Sequence, residues 1–475
     1  MVWDDSMLKS RTHLGVQSTM MLCSSWRFDS ALHPLTQFFC QPVLLQETWT
    51  DFRLSTVTGD QGYIKASAKY FSVGLQGGGG PMMVGRLDRP GRFTDGVSPI
   101  FSGHSGAVLD MDWNPHNDEQ FATASEDTNI KIWQVPDGWE PTDENGDGKE
   151  GKEHKDALID LEAHRKKVTL LQYHPTASNT LVSTSADHTV KIWDCENATA
   201  VNSFDDIDSL VHDLVWDFKG DRLAFSAKDK KVRFLDPRAG TLSNTIEKVH
   251  DGTKSVKMVF ASDDILFSFG ASKQSAREIK VWDLKNTAKP IHTEKVDTAA
   301  GAMIPLYDPD TSVLYLCGKG DGIVRIYEYE NKSPYIFKLN DGFRSNIPGK
   351  GYCMVPKRGL NIMGCETARI LKVTSGQGIH PLTFTVPRKS DAFQDDIFPD
   401  APAPTAAHTH SEWMGGSSKE PKTMSLNPKD GGMAAVSSAP KATFKSVASV
   451  SKELADAKKR IAELEDLLKK NGISF

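Results

Sequence analysis

The sequence predicts an all-β protein: a seven-bladed β-propeller, followed by a disordered linker and a short C-terminal α-helical coiled coil. Three observations carry the prediction. Segments ATASEDTNIKIWQV from Ala122, VSTSADHTVKIWDC from Val182 and AFSAKDKKVRFLDP from Ala224 repeat one design. In each, an Asp precedes an aromatic or large apolar residue by six positions: Asp127 to Trp133, Asp187 to Trp193, Asp229 to Leu235. Upstream, His104 precedes Asp127 and His164 precedes Asp187 by the same 23 residues. Between His and Asp the chain alternates apolar and polar, as in AVLDMDW, and then turns at NPHNDE or HPTASN, which is strand, turn, strand.

Units of about 40 residues with four short strands, a GH-like start and a WD-like end resemble the WD40 repeat, whose stacked copies close into a propeller. Seven such units can be counted. The first runs roughly from Ser55 to Gly91. The next four begin near Ile100, Leu161, Asp205 and Lys248, the sixth spans Gly301 to Glu330, and the seventh, the faintest, Gly351 to Pro387. DGIVRIY in the sixth keeps the spacing, Asp321 to Tyr327, whereas SAREIKVWDL in the fifth has Ala276 where the Asp is expected.

The Ser, His and Asp of SADHTVKIWD suggest a hydrolytic triad, but a triad needs an exposed nucleophile beside an oxyanion hole. A constellation repeated in successive blades is read instead as a structural network: His104, Asp127 and Trp133 in one blade, His164, Asp187 and Trp193 in the next. Each Asp accepts from turn amides and a His ring, the His passes the contact to a hydroxyl of the second strand (Ser183 or Ser185 in blade three), and the Trp indole donates to that hydroxyl. We therefore expect no enzyme, no cofactor and no metal site. Asp143, Asn145, Asp147 and Gly148 begin like a calcium loop, yet His154 stands where the bidentate Glu belongs and no helices flank the segment. QGGGGP, Gln76 to Pro81, lacks the Lys-Ser/Thr of a phosphate cradle and reads as a hairpin tip. Six cysteines without CxxC spacing argue against disulfides and zinc. A net charge of −6 indicates no nucleic-acid footprint, and no apolar run approaches the length of a membrane span, so a cytoplasmic protein is expected.

The predicted organisation is a divergent segment over 1–50, the propeller over 51–386, an extension packed on it over 387–400, a flexible linker over 401–446 and the coil over 447–471. The linker is rich in Ala, Pro, Ser, Gly and Lys, with Trp413 and Met424 as docking points. In the last segment Val447, Val450, Leu454, Ala457, Ile461, Leu464 and Leu468 recur at alternating steps of 3 and 4, a heptad seam. With Ile461 at a and Leu464 at d, Arg460 falls at g and Glu465 at e, so the guanidinium of one chain reaches the carboxylate of its neighbour.

A propeller followed by RKSDxFQDDIFPD and a short coil resembles the coronins, actin-associated propeller proteins. GDQGYIKASAKYFSV, GHSGAVLDMDWNPHND, YDPDTSVLYLCGKGDG, PKRGL and VPRKSDAFQDD are all similar to coronin segments. The resemblance covers roughly Asp51 to Asp400 plus the C-terminal helix. It implies binding to filamentous actin through the propeller, regulation of the branching Arp complex through the C-terminal region, and residence in the cortical actin cytoskeleton. RIAELE, Arg460 to Glu465, is similar to the family's trimer-forming pattern and implies a parallel homotrimer. TDFRLS is similar to the coronin segment that carries a filament-contacting Arg, here Arg53. From Phe52 to Thr94 six basic residues face two acids, so Lys65, Lys69 and Arg86 are expected to join Arg53 in one actin-binding patch. The basic Arg-His-Val-Phe segment that opens coronins and helps close their ring has no counterpart in 1–50, which leaves the closing strand of blade seven unassigned. The alternative from another class is a WD40 adaptor presenting non-actin cargo to a trafficking or ubiquitin-ligase complex. The PRKSD segment and the RIAELE coil speak against it.

Overall fold

Middle strands such as Gln120–Ser125 and Thr180–Ser185 are buried along their whole length. A strand hides both faces only when another layer packs on each, and with almost no helix among the described residues those layers are neighbouring sheets, the condition of blades stacked around an axis. The computed structural model describes residues 39–40, 47–57, 62–93, 100–136, 153–339, 342–376, 378–388 and 392–430. These form seven such sheets and one short ribbon.

Blade three is representative: Val168–Tyr173, Thr180–Ser185, Val190–Asp194 and Thr199–Phe204 pair antiparallel in chain order. Blades four, five and six repeat it over Val211–Ile246, Lys257–Asp297 and Met303–Lys338. Early blades borrow their outer strand from the next unit. Ile100–Phe101 pairs with Met82 and Met83 of blade one, and Ile159–Leu161 pairs with Ile130–Ile132 of blade two. The core lies between blades: Ile130, Ile132 and Leu161 of one pack against Val168, Leu171, Leu181 and Trp193 of the next.

The ring is closed by the N-terminal segment. Blade seven consists of Gly349–Met354, Glu366–Thr374 and Gly378–Thr385. Its outer edge is covered by Trp49–Thr50, with Trp49 opposite Ile379, and by Phe39–Cys40 opposite Thr385 and Phe384. Part of 1–50 thus supplies the strand that the sequence left unassigned. Closure depends on backbone pairing and one large anchor, so it needs no Arg-His-Val-Phe. The anchor is Trp49, 2% exposed, whose ring meets Phe71 edge-on at 5.0 Å and whose indole N–H donates to the Arg89 carbonyl at 3.0 Å.

The expectation of a flexible linker over 401–446 fails for 401–430. Ala401–Pro402 pairs with Thr423–Met424, and His410–Met414 is a helix with a reciprocal Thr409–Glu412 capping box. Trp413 is fully buried, in one cluster with Val182, Ile192, Trp216 and Leu223 of blades three and four. A polar, Pro-rich composition cannot fold alone, but a single Trp inserted between blades gives this strap a core to join. Within 387–400, Ile397 and Phe398 are buried. The heptads, with Arg460, Ile461, Leu464 and Glu465, lie outside the described residues.

Replacing Trp49 by Ala is expected to cost about 3–5 kcal/mol, read as a lowered midpoint of thermal unfolding.

Candidate functional site

Three sites compete: the polar networks between strands, the central channel, and the ends of the blades. The networks are built as follows. His104 Nδ1 lies 2.8 Å from Asp127 Oδ2 and its Nε2 2.7 Å from Thr123 Oγ1, which accepts the Trp133 indole at 2.9 Å. In blade three His164 Nδ1 is 3.2 Å from Asp187 Oδ2, its Nε2 is 2.8 Å from Ser183 Oγ, and Trp193 donates to that hydroxyl at 2.8 Å. The hydroxyl is Ser183; Ser185 instead donates to the Lys166 carbonyl. Burial, aided by Lys191, outweighs the pull of Asp187 and holds the His164 ring down to about 4. Burial would raise Asp187, but the amide of Arg165, the Thr189 hydroxyl and His164 together hold it at about 2. The imidazole is therefore neutral, donating from Nδ1 to the carboxylate and accepting the Ser183 proton at Nε2. That is the proton order of a hydrolytic triad, but Ser183 is wholly buried and its oxygen is also held by the Trp193 indole, and with all three side chains inside the blade no substrate carbonyl can reach the hydroxyl.

Sequence reasoning missed a third network. In blade five His250 contacts Glu278 at 2.9 Å and Ser268 at 2.9 Å, and Ser268 accepts from Trp282 at 2.9 Å. Ala276 occupies the turn position, and the longer Glu side chain from the following strand takes the role of the Asp. The signal was the His250-Asp251-Gly252 start, whose spacing to Trp282 is longer than in blades two and three. In blade six the Asp of the motif, Asp321, binds no His but Arg277 of blade five at 2.9 Å, and Arg277 also holds Asp297.

The channel is a cavity of about 540 Å³ lined by inner strands. Lys65 points into it, 3.4 Å from Asp112. Burial alone would lower its pKa, but Asp112 and Asp110 more than offset this and keep it raised above the ordinary lysine value. Burial pushes the Asp110 carboxyl up to about 6.

The expected basic patch is not one surface. Arg53 is exposed at the end of blade one where Gln76–Gly80 turns; its carbonyl accepts the Gln76 amide at 2.9 Å. That turn abuts His104 and Gly106 of blade two, so Arg53 belongs to the end face that carries the His–Asp networks. Lys69 lies at the other end, bonded through its carbonyl to the Leu87 amide beside Arg86. The intervening strand, Tyr70–Gly74, spans about 17 Å at ~3.3 Å per residue. Lys65 is in the channel. Nearness in sequence misled because each antiparallel strand carries the chain to the opposite end. The charges are also met locally: Lys69 by Glu119 at 3.2 Å, Arg86 by Asp88 at 2.7 Å, Arg92 by Asp51 at 2.6 Å. Arg53 has no ion-pair partner among the described residues.

Ser183→Ala removes the shared acceptor of His164 and Trp193 and is expected to cost about 1–3 kcal/mol for each buried group left unpaired, measured by denaturant unfolding. Below about pH 6.5 the unfolded chain protonates His164, whereas the fold does so only near 4. The unfolded state thus binds more protons in this window, and stability falls as pH drops from 6.5 toward 4. His164→Gln should unfold at lower temperature but with a shallower pH slope.

Models of the "WD domain, G-beta repeat" match residues 97–134 and 156–194, a "type of WD40 repeat" matches 379–421, and a "domain of unknown function (DUF1899)" matches 37–92. The chain is 37% identical over 382 residues to "Coronin-like protein crn1" of Schizosaccharomyces pombe, covering 80% of this chain and 61% of that protein's length. It is similar to the crystal structure of the WD40 domain from Toxoplasma gondii coronin, with a TM-score of 0.76, 30% identity, and coverage of 83% of this chain and 98% of the other. A chain of the mitotic checkpoint complex shares the fold alone, at 15% identity and a TM-score of 0.51.

Proposed function

The chain belongs to the coronin family, and from that premise we propose that it is a non-enzymatic actin-cytoskeletal regulator that binds filamentous actin through the end face of blade one. The observation that carries the reading is Arg53: a guanidinium exposed on the network-bearing face, with no carboxylate partner among the described residues, in a segment similar to the filament-contacting segment of coronins. An uncompensated exposed cation favours an acidic surface, and salt weakens the contact. Lys69 and Arg86, paired and at the other end, and Lys65, in the channel, contribute little to this interface.

The finer reading is that the C-terminal heptads join three propellers, through Arg460 and Glu465 flanking Ile461 and Leu464, so that linked propellers engage several filament subunits or bundle two filaments. Linking sites raises avidity by roughly 10² to 10⁴ without new contacts. Association with the branching Arp complex and a cortical location belong to the same proposal.

Arg53→Asp is expected to reduce cosedimentation with filamentous actin at least several-fold with little change in thermal midpoint, while Lys69→Asp binds nearly as wild type. A large loss of stability in Arg53→Asp would make the residue structural, and unchanged pelleting would move the interface elsewhere. A chain ending at Lys445 should be monomeric by light scattering and pellet far less well. If it pelleted equally, avidity would play no part; failure of the full chain to pellet would favour an adaptor with other cargo.

A further inference from the structure

The docked strap rests on a platform whose integrity depends on one neutral histidine. His174 Nε2 is 3.0 Å from the Gly220 carbonyl, so it must carry the proton. Nδ1 accepts two backbone amides, Thr176 at 3.1 Å and Ala177 at 2.8 Å. A protonated ring cannot accept at Nδ1, and both amides would lose their partner. The segment they hold is where the strap binds: Ala407 donates to the Thr176 carbonyl at 2.9 Å, Ser178 donates to the His408 carbonyl at 3.0 Å, and Thr176 Oγ1 meets His408 Nε2 at 3.0 Å. The His174 ring itself touches Trp413 at 4.5 Å and Trp216 at 4.7 Å. Gly220, at φ +77°, lies so close that a Cβ there would overlap the imidazole.

We propose that His174 is a proton-sensitive latch: neutral, it shapes the turn on which residues 401–424 dock, and its protonation releases that strap while the blades stay folded.

The surroundings offer a new charge no compensation. From blade four, Arg238 lies over the Trp413 ring at 5.6 Å, and Asp221 is already engaged by Arg238 and Ser418. Lys219 is paired with Asp263 and Glu420. From blade two, His116 faces the same site, with Arg358 and Lys422 acting on it. On the strap, Lys419 and Glu412 act on His408, and the Glu412 carboxylate is bonded to the Thr409 amide. Asp194 and Glu196 influence His410 rather than His174, and Asp194 is committed to the amides of Glu196 and Asn197. Burial holds the His174 ring down to about 3, with His408, His116 and Arg238 acting in the same direction and the Gly220 bond opposing them. Its folded pKa is depressed, so docking is strongest above about pH 6.5 and weakens as pH falls. A ring titrating near 3 when docked and near 6.5 when released would lose about thirtyfold in docking equilibrium at pH 5.

The test is hydrogen exchange of the full chain at pH 7.4, 6.0 and 5.0, corrected for intrinsic exchange rates. Protection of the Ala407, Trp413 and Gly415 amides should fall roughly tenfold or more by pH 5.0, while that of Val313–Gly318 holds, a strand of blade six, where Asp321 is held by Arg277 and not by a His. His174→Asn is the non-titrating comparison, because blade two uses Asn114 at the same turn, its Oδ1 accepting the His116 amide at 2.9 Å. That variant should dock the strap more weakly at pH 7.4 and vary less than about twofold with pH. As a control that leaves His174 in place, His408→Asn combined with His410→Asn should retain the pH response. The idea is overturned by constant protection in the wild type, by simultaneous loss from the strap and from blade six, by a full response in His174→Asn, or by loss of the response in the double variant.

Discussion

The pairing of Trp49–Thr50 with Gly378–Thr385 is the constraint on which the rest depends. Without it the Gly378 end of blade seven's outer strand would be unpaired, leaving Phe39–Cys40 at its far end and a few side-chain ties such as Arg358–Asp118 to hold the ring. Each blade buries its middle strands on both faces only because a neighbour stands on each side. An open ring would therefore expose apolar faces as well as a strand edge. The seam is reinforced by side chains. The Trp49 indole reaches the Arg89 carbonyl of blade one, and Arg358 of blade seven binds Asp118 of blade two.

Closure makes two unlike end faces. One carries the His–hydroxyl–Trp networks, whose carboxylates are consumed in holding turns, and exposes Arg53, Arg165 and Lys166 without an ion-pair partner among the described residues. The other carries the short turns after the inner strands, and there the strap is laid, with Trp413 between blades three and four. The strap therefore lies on the face away from Arg53.

Much was legible in sequence where spacing alone identifies partners. His164, Asp187 and Trp193 were readable because a strand–turn–strand of fixed length returns the chain to the same blade. Their counterparts in blade five were not, since Glu278 reaches from a strand position that no motif marks. The charge patch failed for a related reason. Counting Lys65, Lys69 and Arg86 with Arg53 assumed that neighbours in sequence are neighbours in space, whereas successive strands carried them to the channel and to opposite ends. The strap failed differently: residues 401–430 have the composition of a linker, and only the socket formed by Trp216, His174 and Leu223 turns Trp413 into a core residue.

By itself the sequence determined the repeat, the number of blades and the chemistry of the internal networks, because each is local to one strand–turn–strand unit and recurs at a fixed interval. Tertiary structure alone decided which residues close the ring, which face each cation occupies and whether the strap is ordered. These are contacts between segments hundreds of residues apart, such as Trp49 with Ile379 and His408 with Thr176. No local pattern encodes such pairings, since their free energy exists only once the blades have come together.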